Sequence, residues 1–249
     1  MKSSKQAARR QQAKRRRNRR IAIAAGAIVV FLGVVLAAQL TNGRGPVAAP
    51  AAPTVSASAG GVRTGELAFV RREQGDPMAV GDVDAPVVLV QWTDMRCPYC
   101  AVFNRETLPV LRREYVDTGK VRIEIHDVAY FGEQSEDAAV AARAAAEQGR
   151  FFEFLSAVYK EAPEKGHADL PRERLIAFAA KAGVPDIERF TADLDDAGLR
   201  AAAAASNSGA ERLGVTSVPF FVAGGSSLSG AQPIAVFRQY LDAAIAKAG

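Results

Sequence analysis

Apolar positions along this 249-residue chain change their period several times, and each change marks an element. Residues 21–40, "IAIAAGAIVVFLGVVLAAQL", are apolar apart from Gln39 and carry no charge. Twenty helical residues rise roughly 30 Å, the hydrocarbon thickness of a bilayer. The pattern predicts a transmembrane anchor over 21–40; a cleaved signal peptide is the alternative, against which the long apolar run counts. Residues 41–66 have no period. Pro46, Pro50 and Pro53 among small side chains predict a flexible linker that cannot bury enough surface to fold. The β-branched run "APVVLVQWTD" (85–94) then reads as a buried strand. "CPYCAVFNRETLPVLRREYVDTG" (97–119) reads as a helix, with Pro98 in its first turn, a kink at Pro109 and a stop at Gly119. "KVRIEIHDVAYF" (120–131) alternates Val121, Ile123 and Ile125, which predicts a second strand with one polar side. Strand, helix and strand in this order open a βαβ unit.

A long helical stretch follows. "SEDAAVAARAAAEQG" stops at Gly149, and Phe151, Phe154, Leu155 and Val158 then recur on one helical face. Residues 170–183 predict a further helix, and 186 to about 213 one or two more. Strand pattern returns at "VPFFVAGG" (218–225) and "SSLSG". A closing helix over 233–247 has Ile234, Phe237, Leu241 and Ile245 on one face. The expected fold is α/β over 67–249, with a helical insertion at about 133–212.

Charge changes the picture of the N-terminus. The formal net charge is +5, yet residues 1–20 hold ten Lys or Arg and no acid, leaving 22 basic against 27 acidic residues beyond them. The high pI therefore belongs to a tail. Lysine and arginine wholly before an apolar span are the ordinary topology signal. They place the N-terminal tail in the cytoplasm and residues 41–249 outside it, with the bilayer as partner of 21–40 and no nucleic acid required.

The whole chain has two cysteines, Cys97 and Cys100. The spacing fits a structural staple, half of a metal site, a hydrolase nucleophile or a redox pair. A loop this short removes only about 2 kcal/mol of unfolded-state entropy. Zinc wants four ligands, and only His126 and His167 are available to join, both remote in sequence. A hydrolase nucleophile needs a base beside it. The redox reading has a mechanism. Cys97 sits between a strand end and a helix start, where unpaired N–H groups favour an anion, and the thiolate is the nucleophile. Cys100, one turn on, becomes the resolving thiol, more buried and less reactive. Arg96 next door either adds to the stabilisation or is a solvated charge.

"QWTDMRCPYCAVF" resembles the active-site segment of the DsbA-like branch of the thioredoxin superfamily. "GDPMAVGDVDAPVVLV" (75–90) resembles its lead-in, "AAAEQGRFFEF" (144–154) its helical insertion, and "LGVTSVPFFVAGGSSLSGAQP" (213–233) its cis-proline loop and closing hairpin. The resemblance implies a thioredoxin fold and thiol:disulfide oxidoreductase activity. It implies catalytic Cys97, Cys100 and Pro219, with Val218–Pro219 cis and facing the pair. Val218, Pro98 and Tyr99 are then expected to meet substrate. The Cys97–Cys100 disulfide serves in place of any organic cofactor or metal. Expected partners are reduced secreted or cell-envelope proteins and a membrane quinone-linked reoxidase, DsbB-like or of the vitamin K epoxide reductase type. One departure stands out. Relatives often carry a buried acid six residues before the first cysteine, where this chain has Gln91, which cannot titrate. Asp94 either takes over proton transfer to the second cysteine or caps the helix. A reductase or isomerase on the same fold, and a tethered binding module without essential redox chemistry, are the competing readings.

Overall fold

Val87–Thr93 is buried at every position, as expected of a strand with neighbours on both edges and layers on both faces. It is β2 of a five-stranded sheet. The computed structural model describes residues 67–249; the expected tail, span and linker over 1–66 lie outside the described residues. The sheet order is β1-β3-β2-β4-β5, with β1 Ala79–Val80, β3 Val121–Asp127, β4 Phe220–Ala223 and β5 Ser226–Ser229. β3 runs parallel to β2, in register from Val87↔Val121 to Thr93↔Asp127, whereas β4 is antiparallel to β2 and β5 to β4. Side chains alternate across β2. Val87 and Leu89 enter the main core with Phe103, Leu111, Phe221 and Phe237. Val88, Val90 and Trp92 join Val128, Ala210 and Val215 in a second cluster.

β2 delivers the chain to Cys97, where helix α1 begins as Pro98–Val102. The kink expected at Pro109 takes the form of widened turns. α1 continues as π-helical Phe103–Thr107, α-helical Leu108–Leu111 and π-helical Arg112–Val116. Proline has no N–H to offer and its ring crowds the carbonyl four residues back, so a wider turn relieves both problems. Gly119, at φ 71°, ends the helix in the left-handed conformation that glycine adopts freely.

The polar side expected for β3 is not solvated. Arg122 and Glu124 are buried like their neighbours Ile123 and Ile125. The segment ahead of β2 covers them. Glu124 accepts from the backbone N–H of Arg71 and Arg72, each at 2.8 Å, and from Arg122 Nε at 2.9 Å. Arg122 reaches onward to the carbonyls of Gly81 and Glu73. Fully satisfied charges of this kind tie a segment to one register, and removing one partner leaves the others buried and unpaired. The two-residue β1, not foreseen in the sequence, belongs to this cover and pairs with β3. Gly81 leaves it at φ 104°, where a Cβ would stand 2.9 Å from the Val121 carbonyl.

Five helices are inserted between β3 and β4: α2 Glu133–Ala146, α3 Phe151–Lys160, α4 Arg172–Lys181, α5 Ile187–Asp193 and α6 Ala197–Arg212. The stretch after 186 is thus two helices, each opened by an aspartate side chain, Asp186 and Asp196, accepting an N–H of the first turn. α2 is buried nearly all round, because seven alanines let neighbouring helices approach closely. Arg143 of α2 grips Asp127 at the end of β3 through two hydrogen bonds, 2.5 and 3.0 Å. The closing helix α7, Ile234–Ala248, packs Phe237 and Leu241 into the main core. No helix among the described residues is long and apolar enough to cross a membrane.

Candidate active site

Cys97 is itself the N-cap of α1. Its φ and ψ of −75° and 120° are extended, and its Sγ accepts the Cys100 N–H at 3.4 Å. Pro98 occupies the first helical turn, where a missing N–H removes nothing. Both thiols are free. Cys97 is 2 % exposed and Cys100 fully enclosed. The Cys97 thiol is pulled below its ordinary range. The Cys100 thiol donating to it is the leading cause; burial opposes, and the helix-mouth amides of Cys100 and Tyr99 add to the lowering. The amides at the helix mouth, expected from the sequence to dominate, thus come second to the partner sulfur. Cys100 is displaced in the opposite direction, well above the ordinary thiol range, by burial first and by its bond and charge interaction with Cys97. One nucleophile and one held proton result.

The residues around the pair divide differently from expectation. Asp94 does not cap the helix, since Cys97 does. Its carboxylate closes the preceding turn by accepting from the Arg96 N–H at 2.8 Å, and it also accepts from the Tyr130 N–H at 2.7 Å and the Ser135 hydroxyl at 3.0 Å. Burial raises its pKa, these donors opposing. Asp94 meets Cys100 through its backbone. Arg96 is neither solvated nor spent on the thiolate: its guanidinium donates to the carbonyl of Ala168, at 2.7 Å, and to that of Phe131. Gln91 is buried in β2, and its Oε1 has no hydrogen-bond partner. Two hydroxyls not singled out in the sequence, those of Thr93 and Tyr159, belong to the surroundings of Cys100. Thr93 Oγ1 and Tyr159 OH are 2.6 Å apart, and Tyr159 also donates to the Asp94 carbonyl at 3.1 Å. Tyr159 follows Leu155 by four residues on the apolar face of α3, a position where a hydroxyl needs a buried partner.

Val218–Pro219 is cis, and the Val218 carbonyl accepts the Cys97 thiol at 3.4 Å. The loop and the cysteine pair therefore touch across 121 residues of sequence. Pro219 leads straight into β4, and its carbonyl accepts the Gly230 N–H of the closing hairpin. Beside Cys97 opens a groove of about 660 Å³, lined by Pro98, Tyr99, Tyr130, Phe131, His167 and Val218 among others. Tyr99 stands two-thirds exposed at its rim. His167 stacks on Phe131 with ring centroids 3.9 Å apart. His126 lies elsewhere, packed on Trp92 with centroids 5.3 Å apart. The insertion thus supplies one wall of the groove, a placement that sequence spacing does not carry.

A strand–Cys-x-x-Cys–helix unit opposite a cis-proline, with an activated first sulfur and a shielded second one, defines a dithiol–disulfide exchange protein. Residues 73–243 match the family model described as Thioredoxin. The chain belongs to the thioredoxin family, in its DsbA-like branch of thiol:disulfide oxidoreductases. Among relatives, the probable disulfide bond formation protein D of Bacillus cereus is 29% identical over 145 residues, which cover 57% of this chain and 67% of that protein. The chain spans about two thirds of the length of such relatives. Among solved structures, oxidised BdbD from Bacillus subtilis aligns with a TM-score of 0.64 at 20% identity, covering 69% of this chain and 94% of that one. Wolbachia pipientis alpha-DsbA1 aligns with 0.61 at 21%, covering 69% and 92%. At these identities the two structures speak for the fold.

Proposed function

We propose that the chain is an extracytoplasmic oxidase of cysteine pairs, tethered to the cell membrane by residues 21–40, that passes the Cys97–Cys100 disulfide to reduced secreted or cell-envelope proteins. The observation that carries this reading is the cysteine pair itself: Cys97 caps a helix 3.4 Å from the Val218 carbonyl of the cis peptide, while Cys100 is fully enclosed. A substrate thiolate attacks Cys97 Sγ of the disulfide; the S–S pair of electrons leaves on Cys100, which takes up a proton. The substrate's second thiol loses its proton and attacks its own first sulfur, breaking the mixed disulfide and releasing Cys97 as thiolate. Two substrate thiols become a disulfide, and the enzyme ends with two more electrons. Stabilisation of the departing Cys97 thiolate drives the transfer. An extended substrate lies along the groove beside Val218, with Pro98 and Tyr99 at its edge. Electrons then pass to a membrane quinone-linked reoxidase, DsbB-like or of the vitamin K epoxide reductase type.

Equilibrating the full-length chain with glutathione buffers tests the direction. A disulfide less stable than that of glutathione is expected, and a potential near about −270 mV, that of thioredoxin, overturns the oxidase role. Added protease should cut the folded part in intact spheroplasts; protection there overturns the location.

A further inference from the structure

We propose that Tyr159 is a positioning residue for the resolving half of the exchange, acting through Thr93 to hold a hydroxyl proton against the Cys100 sulfur while that sulfur is an anion. The inference rests on the Cys97–Cys100 exchange described above. Cys100 is completely enclosed, and it must become a thiolate whenever it attacks, or departs from, Cys97. An anion without water needs donors from the protein. The carboxylate of Asp94 is an acceptor already occupied by three donors, and Arg96 is bound to the carbonyls of Ala168 and Phe131. The Thr93 hydroxyl and the Asp94 backbone both lower the Cys100 pKa against its burial, and the phenol of Tyr159 lies 2.6 Å from Thr93 Oγ1.

The Tyr159 hydroxyl has two acceptors, the Asp94 carbonyl at 3.1 Å and Thr93 Oγ1. This gives the chain of hydroxyls two settings. With Cys100 a thiol, Tyr159 donates to the Asp94 carbonyl and Thr93 donates to Tyr159. With Cys100 a thiolate, Thr93 turns its proton to the sulfur and Tyr159 turns its own to Thr93 Oγ1. In a mixed disulfide with glutathione, Cys100 gives its proton to solvent and attacks Cys97 Sγ. The Cys97–Cys100 bond forms, the bond to glutathione breaks, and glutathione leaves as a thiolate that takes a proton from solvent. Neutral hydroxyls, one of them from the helical insertion, thereby stabilise the attacking anion.

Stopped-flow oxidation of the reduced full-length chain by glutathione disulfide separates the two steps. In Tyr159→Phe, attack by Cys97 should keep its rate and pH midpoint. Resolution by Cys100 should slow roughly tenfold and shift its pH profile to the alkaline side, the effect of one bond lost from the chain of hydroxyls behind the anion, so that mixed disulfide accumulates. Thr93→Val should slow the same step, and Thr93→Ser should restore it. Should Tyr159→Phe not fold, the Thr93 pair is decisive: slowing in Thr93→Val alone supports the proposal, and equal rates in both variants overturn it. Unchanged resolution in Tyr159→Phe, or both steps slowed together, also overturns it. A wild-type chain whose Cys97 does not react with glutathione disulfide would instead sink the exchange reading itself.

Discussion

Cys97 and Cys100 are chemically the same residue, and four positions of chain make them opposites. The first caps a helix and receives hydrogen bonds; the second is enclosed and gives one. Since the Cys100 thiol is the leading cause of the lowered Cys97 pKa, Cys100→Ala should raise that pKa even though the helix mouth is intact. The ultraviolet absorbance of the thiolate, followed against pH in both proteins, reads this directly; a Cys97 titration unmoved by the substitution would give the helix amides the leading part instead. The sign for stability follows. A thiol lowered from 9.0 on folding favours the folded reduced protein fully above pH 9.0, and that contribution disappears as the pH falls through the folded value. Denaturant midpoints of the reduced wild type and of Cys97→Ser should therefore converge toward acid pH.

At the scale of elements, β3 shows how a strand reads differently from its sequence once something covers it. Its end carries His126, half-buried against Trp92 and held down to a pKa of about 4, chiefly by desolvation and then by the charge of Arg71, with Glu124 and Asp76 opposing. The folded state keeps this imidazole neutral while the unfolded chain takes a proton near pH 6.5. The resulting stability is complete above pH 6.5 and erodes as the pH falls toward 4, by about 3 kcal/mol in all. His126→Phe should flatten that dependence. Urea unfolding followed by the fluorescence of Trp92, the sole tryptophan, measures it, and identical pH slopes in the two proteins would refute it.

For the molecule as a whole, the Arg96 guanidinium is one of several links, with the hydroxyls of Ser135 and Tyr159, between the insertion and the cysteine turn. Arg96 leaves that turn to bind the carbonyls of Phe131, after β3, and Ala168, between α3 and α4. Arg96→Ala takes the donor from two part-buried carbonyls and should lower stability by about 1–2 kcal/mol. The Cys97 titration should stay nearly in place, because its causes lie in Cys100, Tyr99 and Asp94. Thermal unfolding and thiolate absorbance on the same variant check both halves. A titration shifted as far as by Cys100→Ala would make Arg96 part of the sulfur's electrostatics after all.

All the strands but the two-residue β1, the helices and the site of the nucleophile were legible in the sequence, because periodicity, caps and the placing of Cys97 at a strand–helix junction are local properties. Resemblance added the cis-proline loop. What lay beyond reach was every partner reached across the fold: Glu124 on the backbone N–H groups of Arg71 and Arg72, Arg96 on Ala168, and the hydroxyl of Tyr159 against Thr93, 66 residues apart. Composition placed polar groups at those positions, but only packing decided which donor met which acceptor, since hydrogen bonds and desolvation depend on distances that a linear pattern does not encode.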